Sequence, residues 1–347
     1  MNTKHIFLSI VLILFLFSAC SSGDKQQIKL EDLKEARRID ITVDGKLFTS
    51  YCYSDTLEKP ILFPIIAADG ITVTRGFPIA PRKGEQVDHP HQTGYWFNYG
   101  NVNGIDFWGN SKWVNASSNK YGIIRLKKIE EINNLTDREI LRVHHEWIGP
   151  DGNVMLDENT TFTFNAGKDF RIIDRFTTLT AKLPEVSLPD TKEGAFGIRV
   201  SRFLEFPSIT PRTFVDASGE ATTIPVTNDE GVSGNYLSSE GIEGIKVWGT
   251  RAKWMDLYGV NGSDTISMVF MDHPSSFNYP TYWHARDYGL FSANPFGVKD
   301  FTAGKDSLNF KLKQGESVSF KHRLFIKSGN NFSSSEIENE WMNFSKD

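Results

Sequence analysis

Residues 138–148 read REILRVHHEWI, a stretch in which the side chains differ at every second position. One side of an extended chain would carry mainly apolar residues, namely Leu141, Val143, His145 and Trp147. The opposite side would carry Ile140, Arg142, His144 and Glu146. A period of two residues is typical of a β-strand that turns one face to the core. The stretch therefore predicts a strand over residues 139–147.

Similar patterns extend away from this strand in both directions. Asp44-Gly45 separates two alternating runs, residues 38–43 and 46–53, and is a typical hairpin turn. Further strands are predicted at residues 61–66, 121–129, 154–164, 170–180, 196–206, 245–248, 265–271, 307–312 and 317–326. Helical periodicity is clear only at residues 30–37 and 336–344. So many strands with so little helix predict an all-β fold, a large antiparallel β-sandwich.

The N-terminus has the features of a bacterial lipoprotein signal peptide. Lys4 precedes an apolar run over residues 6–17 that is interrupted only by Ser9, and Ser18-Ala19 lead into Cys20. About a dozen apolar residues suit a signal peptide and are too few to span a bilayer core of about 30 Å. Residues 1–19 are therefore predicted as a signal peptide, and the thiol of Cys20 as the site of lipidation. An uncleaved N-terminal anchor is the alternative.

The predicted organisation follows from this processing. Residues 20–36 are predicted as a lipidated tether with a short helix, and residues 37–347 as a single β-sandwich domain. Ser21 rather than Asp follows the lipidated cysteine, which favours the outer membrane. We expect a protein of the cell envelope, attached to the membrane through Cys20 on the periplasmic or the surface face.

The composition excludes some classes of partner. The chain has 38 Lys and Arg against 43 Asp and Glu, a net charge of −5. A nucleic-acid-binding protein needs a basic surplus on one face, so no nucleic acid partner is expected. With Cys20 lipidated, Cys52 is the remaining cysteine, and no internal disulfide is predicted. Cys52 lies in the apolar-aromatic run LFTSYCY and is predicted to be a buried small hydrophobe rather than a reactive thiol.

Four segments between the predicted strands combine aromatic residues with His, Arg, Asp and Gly. They cover residues 74–108, 192–199, 247–256 and 271–297. Four of the eight histidines lie in the first and fourth segments: His89, His91, His273 and His284. This mixture is typical of a sugar-binding surface, where rings stack on pyranose faces and polar neighbours bind hydroxyls, although an ordinary β core is also aromatic. The chemistry is predicted to lie in these segments.

His89 and His91 allow three interpretations. They are two residues apart, so both would point the same way in an extended chain. Such a pair on a β framework is a common first half of a metal site, which His284 or Asp272 would complete with a divalent metal. The pair would otherwise transfer protons or contact substrate, because the pKa of histidine lies near neutral pH. A structural role in a rigid turn is the third interpretation. No other cofactor is expected.

The remaining site candidates lie beside these histidines. The predicted catalytic residues are His89, His91, His284, Glu193, Arg286 and Tyr288, with His91 and His284 as the proton-transfer pair. The predicted substrate-binding residues are Arg75, Trp96, Asn103, Asp106, Trp108, Arg251, Trp254, Trp283 and Asn294. An arginine would clamp a carboxylate, stabilise an enolate or serve the structure alone. Each of these tryptophans is either a platform on which a sugar ring stacks or a part of the core. Glu193 is either a proton-transfer group or an ordinary exposed glutamate.

Four motifs resemble a known family. They are DHPHQTGYWFNYGNVNGIDFW (88–108), KEGAFGIRV (192–200), KVWGTRAKWMD (246–256) and YPTYWHARDYGLFSANPFG (279–297). Together they closely resemble the bacterial PmoA-like family, which carries the label methane oxygenase. Many members have His and Arg where this chain has Gln92 and Thr93, so those two positions are not among the candidates. The resemblance implies a galactose-mutarotase-like supersandwich and work on carbohydrates. True methane oxygenase subunits cross the membrane several times, whereas this sequence has no apolar run of spanning length after the predicted signal peptide. Methane oxidation is therefore not expected.

Two functions of different classes follow. The first is an enzyme acting on a sugar or uronate as an epimerase, lyase, dehydratase or glycosidase. The second is a non-catalytic glycan-binding lipoprotein of a polysaccharide uptake system. Clustered histidines beside Arg and Tyr favour the enzyme, because a binder needs mainly ring platforms and hydrogen-bonding groups. The expected partner is an oligosaccharide or a sugar acid, and the chain has no dinucleotide-binding fingerprint.

Overall fold

The structure is a computed structural model that describes residues 26–113, 120–134, 139–329 and 332–347. The predicted signal peptide, residues 1–19, and the predicted lipidation site Cys20 lie outside the described residues. Within the described ranges, no helix is long and apolar enough to cross a bilayer.

The described residues form eighteen strands and two α-helices. The strands are β1 (Ile28–Leu33), β2 (Arg38–Val43), β3 (Lys46–Cys52), β4 (Ile61–Ile65), β5 (Tyr95–Tyr99), β6 (Ile123–Asn134), β7 (Glu139–Ile148), β8 (Val154–Ala166), β9 (Phe170–Ala181), β10 (Glu185–Leu188), β11 (Gly194–Arg199), β12 (Asn235–Ser238), β13 (Trp254–Asn261), β14 (Asp264–Asp272), β15 (Tyr282–Ala285), β16 (Leu290–Asn294), β17 (Phe310–Lys313) and β18 (Ser317–Gly329). The helices are α1 (Val298–Phe301) and α2 (Ser334–Phe344), and short 3₁₀ helices span Lys34–Ala36, Arg202–Leu204 and Gly244–Val247.

Most strands belong to two eight-stranded sheets. The first sheet has the order β1-β2-β3-β4-β5-β11-β16-β15, and the second has the order β12-β13-β14-β18-β9-β8-β7-β6. Strands β10 and β17 form a separate two-stranded ribbon. Each of these neighbouring pairs is antiparallel. The predicted all-β antiparallel sandwich is confirmed.

The main core lies between the two sheets, and each sheet contributes the side chains of one face. Phe97 and Phe196 of the first sheet meet Leu141 and Trp147 of the second in one buried cluster. Strand β7 alternates between buried and more exposed residues along its length, as the pattern of residues 138–148 predicts. Full burial of one such apolar side chain stabilises the fold by about 1.5–3 kcal/mol. The outer face of the first sheet is therefore left for other contacts.

A charged network crosses this core. Glu158 accepts hydrogen bonds from Arg175 at 2.9 Å, from Trp147 at 2.9 Å and from Thr160 at 2.7 Å. His145 lies 3.1 Å from the same carboxylate. Burial alone raises the pKa of Glu158, but the charges of His145 and Arg175 and their hydrogen bonds lower it to about 2. Glu158 is therefore ionised and fully partnered, which a buried charge requires.

Replacing Tyr51 by phenylalanine is expected to destabilise the protein by about 1–3 kcal/mol. The Tyr51 hydroxyl lies 2.5 Å from Nε2 of His145, and both side chains are buried. Without that hydroxyl, the buried nitrogen has no partner and its desolvation is uncompensated. Urea unfolding of both proteins measures the difference. Tyr53→Phe is the control, because Tyr53 makes a long 3.4 Å hydrogen bond to Asp32 nearer the surface. An equal effect of the two changes would contradict the expectation.

The structure corrects some of the predicted elements. Residues 28–33 form β1 in the first sheet, where a tether and helix are predicted, and only Lys34–Ala36 are helical. Pairing with β2 overrides the helical periodicity of residues 30–37. The strand predicted at 245–248 is a 3₁₀ helix, and the strand predicted at 196–206 ends at Arg199. The helix predicted near residues 336–344 is confirmed by α2, which begins with a capping box at Ser333 and Glu336.

Strands β5, β15 and β16 lie wholly within segments that show no strand pattern in the sequence, and β13 begins within such a segment. All residues of β5, β15 and β16 are buried, so these strands have no alternating polar face to reveal them. They are buried on both sides because the core covers one face of the first sheet and the loops of the candidate site cover the other. The single-domain division remains a prediction.

Candidate active site on the outer face of the first sheet

Four residues line up across the outer face of the first sheet. The strand register places Trp96 of β5 opposite Gly197 of β11. It places Ser292 of β16 opposite both Gly197 and His284 of β15. Neighbouring strands are about 4.8 Å apart, so three strand spacings, or roughly 14 Å, separate Trp96 from His284. Gly197 makes room for the indole, since a Cβ there would lie 2.4 Å from the ring of Trp96.

A loop over residues 86–93, called here the histidine loop, is held against this face by two buried arginines. Arg75 donates to the carbonyl oxygens of Gln86, Asp88, His89 and Gln92 over 2.9–3.1 Å. Arg199 of β11 donates to Oε1 of Gln92 at 2.7 Å. Both arginine side chains are completely buried. The backbone of the loop is thus fixed from beneath by charge-assisted hydrogen bonds.

Asp88 connects these arginines to His89. Its Oδ1 lies 2.5 Å from Arg75 and 2.5 Å from Arg199, while Oδ2 lies 2.8 Å from Nδ1 of His89. Burial alone raises the pKa of Asp88, but Arg199, the hydrogen bond with His89 and Arg75 hold it well below its usual range. An ionised carboxylate only accepts, so Nδ1 of His89 carries a proton. In that tautomer Nε2 is the acceptor nitrogen, on a side chain that is 42% exposed.

His91 lies deeper than His89. Its ring centroid is 5.7 Å from that of His89 and 6.4 Å from that of Trp108. Burial and the charges of Lys59 and His89 lower the pKa of His91 to about 2, so this ring is neutral near pH 7. Lys59 donates to the carbonyl oxygen of His91 at 2.8 Å, and burial lowers the pKa of Lys59 to about 7.

The two-residue spacing of His89 and His91 suggests an extended chain, but the structure shows a turn at this point. His89 has a φ of 40°, and the N–H of Gln92 donates to the carbonyl oxygen of His89 at 2.9 Å. The chain therefore turns at Pro90-His91, which places one ring near the surface and the other beneath it.

The turn between β15 and β16 brings a tyrosine and an arginine beside the histidine loop. The ring of Tyr288 stacks on His89 with centroids 4.8 Å apart and planes at 12°. Burial raises the pKa of Tyr288 although Arg199 and Arg286 lower it, so the hydroxyl keeps its proton. The guanidinium of Arg286 lies 5.7 Å from the ring of Tyr288 and 5.9 Å from the ring of Trp248. Both distances are within the range of a cation–π contact.

These contacts form one continuous chain, called here the aromatic row. Its members, in spatial order, are Trp96, Trp108, His91, His89, Tyr288, Arg286, Trp248 and His284. The separations between successive members lie between 4.8 and 6.4 Å. The members of the row come from three of the four predicted segments, residues 74–108, 247–256 and 271–297, and Trp248 represents the second of these. All six predicted catalytic residues belong to the row or lie beside it.

His284 closes one end of the row as a neutral ring. Nδ1 lies 2.8 Å from the carbonyl oxygen of Lys192, so it carries the proton and Nε2 is the acceptor. Burial and the charge of Arg286 lower the pKa of His284 to about 3. Glu193, next to Lys192, has a side chain that is 37% exposed and lies 2.9 Å from the Lys192 ammonium.

Replacing His284 by glutamine is expected to make the protein less sensitive to acid. The folded pKa of about 3 lies below the ordinary value of 6.5, so the unfolded chain binds this proton first as the pH falls. The stability that depends on neutral His284 is therefore lost as the pH falls from 6.5 towards 3. Between pH 7.5 and pH 5.5 the wild type should lose about 1 kcal/mol more than the variant. Urea unfolding at both pH values measures this, and equal losses would contradict it.

Several predicted substrate-binding residues lie away from the row. Trp283 is in the core and donates to the carbonyl oxygen of Ala252, while Trp254 lies under α2 and donates to Glu338. The guanidinium of Arg251 lies over the ring of Tyr282 and donates hydrogen bonds to Asn278 and Pro280. These residues stabilise the fold, so the structure does not support their assignment to the substrate.

Other predicted binding residues lie near the face but serve the scaffold. Arg75 is buried beneath the histidine loop, and Trp96 is completely buried beside Trp108. Asn103 exchanges hydrogen bonds with Glu185 and Ser187, and Asn294 links Thr191 to Phe296. Asp106 accepts from the N–H of Gly109 at 2.8 Å and is half-buried. Trp108 also lies in the row beside His91, but it is only 2% exposed.

The sequence pattern misses five residues that build the site. Asp88, Gln92 and Arg199 orient the histidine loop, Lys59 holds His91, and Trp248 flanks Arg286. Asp88 has a local signal, because an acid directly before a clustered histidine is a natural orienting partner. The others are brought together only by the sheet. Among the described residues, no three His, Cys, Asp or Glu side chains converge as ligands for a metal ion.

Residues 38–342 match the model of DUF6807, a family of unknown function. The chain belongs to this family. The match does not confirm the PmoA-like resemblance, since no activity is attached to the family. A search of curated proteins finds no match to the sequence.

Solved structures show similarity of fold at low sequence identity. An α-galactosidase of glycoside hydrolase family 36 from Geobacillus stearothermophilus, in complex with raffinose, matches with a TM-score of 0.38 and 13% identity, over 88% of this chain. The chain spans 41% of the length of that enzyme. A galactose mutarotase-like protein from Clostridium acetobutylicum matches with a TM-score of 0.33 and 11% identity, over 87% of this chain and 99% of the other. A galactose mutarotase related enzyme from Lactobacillus acidophilus matches with a TM-score of 0.28 and 8% identity, over 88% and 98%.

Proposed function

We propose that this protein is an extracytoplasmic lipoprotein, anchored through Cys20, whose aromatic row acts on a carbohydrate by histidine acid/base chemistry. The observation that carries the proposal is the Asp88–His89 pair on an exposed edge of the row. It has a carboxylate fixed by two buried arginines and a ring nitrogen that faces away from it. A general base needs a fixed tautomer and an accessible nitrogen, and His89 has both.

The roles within the row differ from those that the sequence suggests. His89 replaces His91 as the proton-transfer group, because His91 and His284 have pKa values near 2 and 3 and are weak bases. Neutral rings of this kind are suited to hydrogen bonding with sugar hydroxyls. Tyr288 keeps its proton and stacks on His89, so it is placed to act as a general acid or a hydrogen-bond donor. The proposal requires no cofactor.

The aromatic members of the row support a sugar as the substrate. Trp248 offers a partly exposed ring beside Arg286 and His284, while Trp108 lies buried beside His91. The indole N–H groups of both tryptophans have no hydrogen-bond partner among the described residues. Buried donors without a partner are costly and need a specific explanation, and an acceptor supplied by the ligand is the explanation that the proposal gives.

The test is a screen of the purified protein against neutral and acidic mono- and oligosaccharides, with products identified by mass spectrometry. Calorimetry measures binding in parallel, and His89→Ala is run beside the wild type. Conversion by the wild type and not by the variant supports the enzyme. A glycan that both proteins bind equally and leave unaltered would overturn the catalytic proposal in favour of the glycan-binding alternative.

The predicted lipid anchor, the localisation and the binding of a metal ion are tested separately. Labelling with a fatty acid, compared between the wild type and Cys20→Ala, reports lipidation, and fractionation of the envelope reports the membrane. Metal analysis of the same purified protein decides whether the His89–His91 pair binds a divalent ion.

A further inference from the structure

One cation of the aromatic row differs from the other arginines on this face. The guanidinium groups of Arg75, Arg199 and Arg251 each donate hydrogen bonds to acceptors within the protein. Arg286 makes no side-chain hydrogen bond or ion pair with the residues that the structure describes. Its guanidinium carbon instead lies 5.7 Å from the ring centroid of Tyr288 and 5.9 Å from that of Trp248. These ring contacts leave its N–H donors unused.

The acids nearest to Arg286 are engaged elsewhere. Asp287, its neighbour in the chain, accepts from Arg212 at 2.6 Å and from Ser208 at 2.9 Å. Glu193 lies 2.9 Å from the ammonium of Lys192. Asp88 is shared by the two buried arginines. The positive charge of Arg286 therefore has no fixed counter-charge among these carboxylates, although the residue is half-buried.

We infer that Arg286 binds the carboxylate of a sugar acid, so that the substrate is a uronate or a saccharide that contains one. This inference rests on the proposed function and specifies its substrate class. A guanidinium presents paired N–H donors that match a carboxylate in a bidentate manner. The neighbouring rings of Tyr288 and Trp248 would shield that contact from water and strengthen it.

The position of His89 agrees with this substrate. Tyr288 contacts both the base and the carboxylate clamp, because its ring centroid lies 4.8 Å from that of His89 and 5.7 Å from the guanidinium carbon of Arg286. In a bound uronate, the C–H bond beside the carboxylate breaks and its proton passes to Nε2 of His89. The electron pair is delocalised into the carboxylate on Arg286, whose charge stabilises the resulting enolate. Lyases and epimerases of sugar acids share this first step.

The test measures binding by calorimetry for wild type, Arg286→Met and Arg286→Lys. The probes are D-galacturonate, D-glucuronate, digalacturonate, the corresponding neutral sugars and D-galactose 6-sulfate. We expect at least one acidic sugar to bind about tenfold or more tightly than its neutral counterpart, which corresponds to about 1.4 kcal/mol. Arg286→Met should abolish that preference, so that acidic sugars bind no more tightly than their neutral counterparts, and Arg286→Lys should keep part of it.

Arg251→Met is the matched control, because Arg251 also lies over a tyrosine ring but has its donors satisfied. It should preserve the preference for acidic sugars, and thermal unfolding confirms that each variant is folded. The inference is overturned by equal or tighter binding of neutral sugars, by equal or tighter binding of the sulfated sugar, or by binding of no sugar acid at all.

Proton exchange separates this inference from the proposed function. The wild type, incubated with the preferred sugar acid in D₂O, should incorporate deuterium beside the carboxylate, as followed by NMR. Selective binding of the acid without exchange or conversion would support the role of Arg286 and contradict the catalytic proposal. Conversion of a neutral sugar with no preference for acids would support the catalytic proposal and contradict the role of Arg286.

Discussion

Replacing His89 by glutamine is expected to slow turnover by about 10²–10⁴-fold, the usual contribution of a general acid or base. The change removes the ring nitrogen that accepts the proton, while the amide can still donate to Asp88. His89 is 42% exposed, so the stability of the protein should change little. The rate is measured on the substrate that the sugar screen identifies, and urea unfolding is measured in parallel.

The chain contains a matched control for this change. His144 of β7 also pairs with an aspartate, with Nε2 3.1 Å from Oδ1 of Asp157, but it lies on the second sheet. His144→Gln should therefore leave the rate unchanged within about twofold. A rate for His89→Gln equal to that of wild type would exclude His89 as the proton-transfer group. The remaining candidates would then be Tyr288 and Glu193.

Replacing Asp88 by asparagine is expected to destabilise the protein by about 3–5 kcal/mol, the cost of leaving a buried charge without its partner. Two guanidinium groups, those of Arg75 and Arg199, lie 2.5 Å from the same carboxylate oxygen and are completely buried. The neutral amide keeps the shape of the side chain but supplies no charge. Turnover should fall as well, because His89 loses the group that fixes its tautomer.

The titration of the Asp88 carboxyl should itself add no pH dependence to this effect between pH 5 and pH 8. The folded pKa of Asp88 is depressed, so its contribution is complete above the ordinary value of 3.8 and is lost only as the pH falls below it. Asp55→Asn is the control, because Asp55 and its partner Arg37 are 67% and 46% exposed. That change should cost about 1 kcal/mol or less. Similar losses for the two variants would show that the buried arginines do not depend on Asp88.

The sequence by itself predicts the fold class because much of the second sheet has one buried and one polar face. Strands β7, β8 and β9 alternate clearly, so their period of two residues is visible along the chain. The same reasoning fails for β5, β15 and β16, whose residues are buried on both faces. It also fails for β1, where pairing with β2 outweighs a helical pattern.

The sequence predicts the residue types of a candidate site but not their geometry. Clusters of His, Arg and Trp select segments whose members the structure brings together in the aromatic row. They do not reveal that Arg75 and Trp283 are buried or that Arg199 and Lys59 belong to the site. Those outcomes depend on which side of a strand a residue faces and on which strands become neighbours. Both are set by long-range pairing.

The histidines show this division most clearly. From the sequence alone, His89 and His91 are equivalent members of one pair, and His284 is a distant third. The tertiary structure separates them, because a left-handed residue at His89 turns the loop and leaves one ring exposed. Asp88, Arg75 and Arg199 then orient that ring, while burial keeps the rings of His91 and His284 neutral. Residue types along the chain determine which chemistry is available, and desolvation and charge in the folded protein decide which residue performs it.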